Sequence, residues 1–186
     1  MGIRDEKSSL RTRYRHERHE RHERFIDHSF EFLASSPEIS EASVVASYMS
    51  YEDEPRTTEL SAALLAAGKK LLLPRISGLS LEWVEWNGAQ ENLKISKRIL
   101  EPIGPAITDL AGIEIVIVPA LRIDRRGYRL GQGGGFYDRA LPQLQAWSIG
   151  LIHPDEISSE DLPTEEWDQP LDAAATPDLI LRFNKS

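Results

Sequence analysis

The sequence predicts a layered α/β domain, and three features point there. Helix-like stretches alternate with short apolar segments along the chain. Val44–Met49 (VVASYM) and Lys70–Ile76 (KLLLPRI) flank an apolar-periodic helix, a strand–helix–strand unit of the kind that pairs parallel strands through a crossover. Ile113–Val118 (IEIVIV) is the strongest strand signal in the chain.

From Asp5 to Leu33 there is neither proline nor glycine, which predicts one long N-terminal helix. Its middle repeats Arg-His-Glu three times over residues 15–23, a period that is polar all round and predicts a solvated face. Glu17–Arg21 and Glu20–Arg24, acid before base at i, i+4, are expected to pair. Period three also smears His16, His19 and His22 around the helix, which argues against a metal site. Phe25, Ile26, Phe30 and Leu33 form an apolar stripe suited to docking on a core.

Thr57-Thr58 is the expected cap of a helix through Leu60, Ala63, Leu64 and Ala67, closed by Gly68. Leu81–Trp86 alternates apolar with acidic residues, as an edge or antiparallel strand does. Tyr137–Gln145 reads as a helix, Ser148–Ile152 as a short strand and Leu179–Phe183 as a further one. No composition shift divides the chain, so residues 1–186 read as a single domain.

Composition narrows the function. No cysteine is present, so disulfides, thiolate zinc sites, iron–sulfur clusters and a cysteine nucleophile are excluded. Mean hydropathy is −0.38, and the longest apolar run, Ile115–Leu121, falls far short of the roughly 20 residues that cross a bilayer. The first residues are charged where a signal peptide is apolar, and Glu6 stands where a myristoylation pattern requires Ser or Thr. A soluble, cytoplasmic protein is expected. Net charge is −8, with eight Lys/Arg against five Asp/Glu in residues 1–24, so an acidic body follows a basic segment. An acidic body argues against nucleic-acid binding.

The segment richest in chemistry is Arg129-Leu130-Gly131-Gln132-Gly133-Gly134-Gly135-Phe136-Tyr137-Asp138-Arg139. Four glycines in five positions let backbone N–H groups converge on one point, and a helix starting behind them adds its positive end. The result is an anion cradle for which phosphate is the usual guest, flanked by Arg129 and Arg139. A P-loop is excluded because Phe136-Tyr137 replace Lys-Ser/Thr. The dinucleotide fingerprint is excluded because no glycine occupies position 136.

With its preceding strand ending at Pro119, this string resembles the signature of the 5-formyltetrahydrofolate cyclo-ligase (5,10-methenyltetrahydrofolate synthetase) family. The resemblance spans nearly the whole chain in order: Lys7-Ser8-Ser9-Leu10-Arg11, Ser47 to Thr57, Leu73-Pro74-Arg75, Glu101-Pro102, Val118 to Leu121 with Asp124 and Gly127, Leu162-Pro163, Glu166-Trp167-Asp168 and Thr176-Pro177. It implies a single three-layer α/β domain with a mostly parallel central sheet. It also implies ATP- and Mg²⁺-dependent conversion of 5-formyltetrahydrofolate to 5,10-methenyltetrahydrofolate through phosphorylation of the formyl oxygen. The protein then contributes mainly positioning and positive charge.

Residue by residue, the resemblance assigns Lys7, Ser8, Ser9, Leu10 and Arg11, with Arg129, Leu130, Gly131, Gln132, Gly133, Gly134, Gly135, Phe136 and Tyr137, to ATP. Arg129 and Lys7 are the catalytic cations, Lys7 sharing a helix face with Arg11 at i, i+4. Met49 and Glu54, with Gln132, Gly133, Gly134, Gly135 and Phe136, are assigned to the folate. Asp138 and Asp168 are the expected Mg²⁺ ligands, two acids being sufficient when phosphate oxygens complete the shell. Gln132 stands where many members carry Tyr, Met or Arg, and Phe136 where many carry Tyr; the Arg-His-Glu tract is no part of the family pattern. The partners expected are the folate and ATP, with no nucleic acid and no membrane, and the chain is expected to be a monomer. Rival readings are a sugar-phosphate or acyl-transfer enzyme of similar layout, and a non-catalytic folate- or nucleotide-binding protein.

Overall fold

The computed structural model describes residues 2–25 and 27–184, so the Ile26 position in the expected apolar stripe lies outside the described residues. A first helix, α1 (Ile3–Arg21), runs into a 3-10 turn at His22–Phe25. A second 3-10 turn (Glu31–Ser35) and α2 (Pro37–Glu41) lead to β1 (Val44–Ala46), α3 (Thr58–Ala66), β2 (Lys70–Ser77) and β3 (Ser80–Glu85). A hairpin follows, β4 (Leu93–Ser96) and β5 (Ile99–Pro102). Then come β6 (Ile115–Pro119), β7 (Arg122–Asp124), β8 (Arg129–Leu130), α4 (Phe136–Ala140), β9 (Trp147–Leu151), β10 (Ile157–Ser158), β11 (Ala173–Ala175) and β12 (Ile180–Arg182).

The central sheet has the order β12-β11-β9-β6-β1-β2-β3. Its inner pairings are all parallel, and the two edge strands β12 and β3 are antiparallel to their neighbours. Alternation along the strands sends side chains to opposite faces. Val45, Leu71, Ile117 and Ile149 pack with Phe30, Leu33, Ile39, Leu60 and Leu64, while Leu72, Val116 and Val118 pack with Ile123, Ile152 and Leu171. Both faces are therefore covered, the three-layer α/β arrangement with a mostly parallel sheet and an N-terminal helix. Among the described residues, no helix is long and apolar enough to cross a membrane.

Three expectations are corrected. The first helix stops at Arg21 rather than Leu33. Asp27, His28 and Ser29 are weak helix formers, and turning there lets Phe30 and Leu33 reach full burial in the core. The helix expected over Tyr137–Gln145 ends at Ala140 and continues as a short 3-10 turn, because Pro142 has no N–H to extend it. Thr57 is the N-cap residue of α3 without capping it: its hydroxyl donates to the Tyr48 carbonyl at 2.7 Å.

The Arg-His-Glu tract is also not a purely solvated face. Glu17 pairs with Arg122 at 2.6 Å and with Arg13 at 3.4 Å, while the Arg21 guanidinium donates to the Glu17 backbone carbonyl. Glu20 pairs with His16, not with Arg24. Arg18 is turned inward and buried against Glu156. A helix polar on every side still presents one side to its neighbours, and here the neighbours supply the counter-charge.

Candidate active site

Open parallel sheets bind ligands outside the carboxyl ends of their strands, where the chain reverses its direction of winding. Here β1 leads through α3 to β2 on one side, and the chain later returns to place β6 on β1's other side. A cleft of about 590 Å³ opens above these strand ends, lined by Tyr48 and Met49 after β1, Pro74 and Ile76 in β2, and Pro119 and Leu121 at the end of β6. That volume falls within the range of roughly 300–1,000 Å³ typical of small-molecule sites. Helix α1 closes one side, anchored by Leu10 and Tyr14 packing on Leu121, Leu130 and Leu162.

The glycine loop forms a second wall. Gly135 is the N-cap of α4 in the left-handed conformation (φ 66°), and Gly133 also has positive φ (107°), values that disfavour side chains. Three cations of α1 and α4 hold the loop by its carbonyls: Arg11 to Gly131 at 2.9 Å, Arg15 to Gln132 at 2.5 Å and Arg139 to Gly134 at 2.8 Å. Engaging the carbonyls leaves the loop's amides for an incoming anion. Burial and the neighbouring Arg15 lower the Arg11 pKa, with Asp138, Asp168 and Glu165 opposing.

The two catalytic cations of the sequence reading are buried and paired. Lys7 is 5% exposed and donates to Asp168 at 2.5 Å and Glu165 at 3.0 Å. Arg129, its side chain 5% exposed, is paired with Asp138 and lies over the Tyr137 ring, and its Nε has no partner. Each expected metal ligand is thus held by an expected phosphate-binding cation. Among the described residues no group of three or more acid or histidine side chains could hold a metal unaided. Asp138 and Asp168 line one cleft, and both act on Arg11. As hard oxygen donors they suit Mg²⁺ if nucleotide phosphates supply the remaining positions.

Met49 and Glu54 lie on the wall after β1. Glu54 accepts the Tyr51 N–H at 3.0 Å. Burial pushes its pKa up to about 7, against the Tyr51 amide, Arg18 and Gln132, which pull it down. A carboxyl whose folded pKa exceeds the unfolded value stabilises the fold fully below the unfolded pKa and loses that contribution as pH rises through the folded one. From pH 4.5 to 7.5 the protein is therefore expected to lose roughly 3 kcal/mol relative to its Glu54→Gln variant. Urea unfolding of both proteins across that range checks it, and parallel stability curves would refute it.

The cleft gathers Lys7, Arg11, Met49, Glu54, Arg129 through Asp138, and Asp168. It does not gather Ser8 and Ser9, which are exposed on α1, or Leu10, which packs into the apolar contact beneath the helix. It also contains residues the sequence reading missed, among them Arg15, Arg18, His19, Asp53 and Glu101. Arg15 was legible, since Lys7, Arg11 and Arg15 recur at i, i+4 on one helix face. His19 and His22 both reach the Asp53 carboxylate, at 2.8 and 3.3 Å.

A family model described as the 5-formyltetrahydrofolate cyclo-ligase family matches residues 2–177. The 5-formyltetrahydrofolate cyclo-ligase of Escherichia coli K12 is 34% identical over 152 residues, covering 77% of this chain and 83% of that protein. The Mycolicibacterium smegmatis 5-formyltetrahydrofolate cyclo-ligase is 31% identical over 142 residues, covering 72% and 73%. Among solved structures, the Aquifex aeolicus 5,10-methenyltetrahydrofolate synthetase superposes with a TM-score of 0.78 at 28% identity, covering 97% of this chain and 94% of that one. With a cleft at the sheet's switch point and matches of this length, the chain belongs to the 5-formyltetrahydrofolate cyclo-ligase family of enzymes.

Proposed function

We propose that this chain uses ATP and Mg²⁺ to convert 5-formyltetrahydrofolate to 5,10-methenyltetrahydrofolate, with ADP and phosphate released. The observation that carries the reading is the single cleft joining a glycine loop ringed by cations to the Met49–Glu54 wall. A nucleotide triphosphate and a flat, hydrogen-bonding ring system need those two surfaces side by side.

The chemical difficulty is the formyl oxygen, a poor leaving group. Its attack on the γ-phosphorus forms an O–P bond and expels ADP; N10 then attacks the formyl carbon, and phosphate departs with the C–O electrons. The loop amides and Arg129 bind the phosphoryl oxygens as charge gathers there. Lys7 and Arg11 approach the same phosphates from α1. Asp138 and Asp168 would hold Mg²⁺, which supplies charge neutralisation at the phosphates. Glu54 accepts ring N–H groups of the pterin, and Met49 and Phe136 lie against its faces.

The test is to mix the protein with 5-formyltetrahydrofolate and MgATP. Near-ultraviolet absorbance of the methenyl product is expected to rise one for one with phosphate. Binding of both ligands without any absorbance change at high enzyme concentration would reduce the chain to a non-catalytic binder and reject the reading.

A further inference from the structure

Forming the methenyl bridge has a proton requirement that the phosphate-binding machinery does not meet. N10 carries a hydrogen in the substrate and none in the product, so a group in the cleft must accept it. Six acids line the cleft: Glu52, Asp53, Glu54, Glu101, Asp138 and Asp168. Five have side-chain partners. Glu52 is bonded by the Tyr51 hydroxyl, Asp53 by His19 and His22, and Glu54 by Gln132. Asp138 is paired with Arg129 and Asp168 with Lys7.

Glu101 differs. It lies on β5, is 4% exposed, and its Oε1 accepts the Ile76 N–H of β2 at 2.9 Å. Its second oxygen has no donor and its charge no cationic partner among the described residues. Lys94, its partner in register on β4, is exposed and makes no ion pair with it. One oxygen is fixed by a backbone amide while the other is unclaimed by the protein, so the carboxylate is oriented and available to a donor held in the cleft. Its neighbours Ile99, Leu100 and Ile76 form an apolar wall suited to an aromatic ring.

Building on the function proposed above, we infer that Glu101 is a catalytic residue of the cyclisation step, accepting the N10 proton of the bound folate. As N10 attacks the formyl carbon, the new C–N bond forms with the N10 lone pair. The N–H electrons stay on nitrogen while the proton passes to Glu101. The C–O bond then breaks toward phosphate, leaving the N5–CH–N10 amidinium. Glu101 returns its proton to water once the product has left. Phosphoryl transfer precedes all of this and does not involve Glu101.

That order sets the test, a single-turnover reaction following ADP and methenyl product separately in the wild type and in Glu101→Gln. The glutamine retains an oxygen for the Ile76 amide but cannot take a proton. The expected result is ADP formation within about twofold of wild type and methenyl formation slowed about tenfold or more, a modest share of what a positioned base contributes because an arylamine sheds its proton readily after attack. Equal slowing of both products would assign Glu101 to holding β5 on β2 and overturn the inference. So would unchanged rates, or the same split appearing in Glu54→Gln instead. If the glutamine variant does not fold, Glu101→Asp, which withdraws the carboxylate by one methylene, is expected to show the split, and its absence there overturns the inference equally. A wild type that forms neither ADP nor methenyl product defeats the proposed function itself, and this inference with it.

Discussion

Replacing Glu156 with alanine is expected to destabilise the fold by about 3–5 kcal/mol, the usual consequence of stranding one member of a buried ion pair. The Arg18 and Glu156 side chains are only 3% and 1% exposed. Arg18 donates through Nε to Oε1 at 2.9 Å and through Nη2 to Oε2 at 2.6 Å, and the same Nη2 reaches the Ala120 carbonyl at 2.6 Å. Glu156 also accepts the His153 N–H at 2.8 Å. Its removal leaves a guanidinium in the interior with its charge uncompensated, and Arg18 Nη1 already lacks a partner. Burial also lowers the pKa of His153, which stacks on Phe25 with ring centroids 4.1 Å apart, so the imidazole adds no second positive charge beside Arg18.

In a domain of this size the loss corresponds to a fall in Tm of roughly 6–20 °C. The Arg18→Met, Glu156→Leu double variant is expected to recover most of it, because replacing both charges removes the desolvation cost along with the attraction. Thermal melts of the three proteins settle the matter. A loss below 1 kcal/mol in the single variant would mean that water reaches Arg18.

Substituting Arg129 by alanine is expected to lower kcat/KM for ATP by roughly ten- to a hundredfold while leaving folate affinity nearly unchanged. A hydrogen bond to a charged group contributes about 1.5–3 kcal/mol, and a buried guanidinium facing phosphate makes that kind of bond. Arg129 is held in place from two directions, by Asp138 and by the Tyr137 ring, and its Nε is unclaimed by the protein. Steady-state kinetics with each substrate varied in turn, together with calorimetric titration of folate alone, separate the two ligands. Equal losses for both would make Arg129 a structural support of the loop, since Asp138 is then left without its partner.

Legibility from sequence followed the range of the interaction concerned. The parallel strands β1, β2, β6 and β9 were readable because each is a short apolar run, and a strand buried on both faces needs nothing else. The glycine loop was readable because its conformation is dictated locally: Gly133 and Gly135 take positive φ, which the residue type itself permits. The hairpin of Leu93–Ser96 and Ile99–Pro102 was not, although Lys97 and Arg98 both turn with positive φ at its tip. Neither residue is a usual turn former, so no composition cue marks the hairpin. Ala173–Ala175 escaped as well, since three alanines have little strand preference and join the sheet only because β9 offers its edge.

By itself, the sequence determined the α/β layering, the glycine loop and the family, all of which rest on local pattern or on the order of short motifs. Only the tertiary structure decided that Arg18 turns inward, that His19 and His22 meet Asp53, and that Glu101 enters the cleft beside Ile76. The physical reason is common to all three. A charged side chain's environment is set by what lies opposite it, and the opposing groups here are separated in sequence by 138, 34 and 25 residues for the Arg18–Glu156, His19–Asp53 and Ile76–Glu101 contacts. No local periodicity encodes those meetings; they exist only after the sheet has brought its strand ends together.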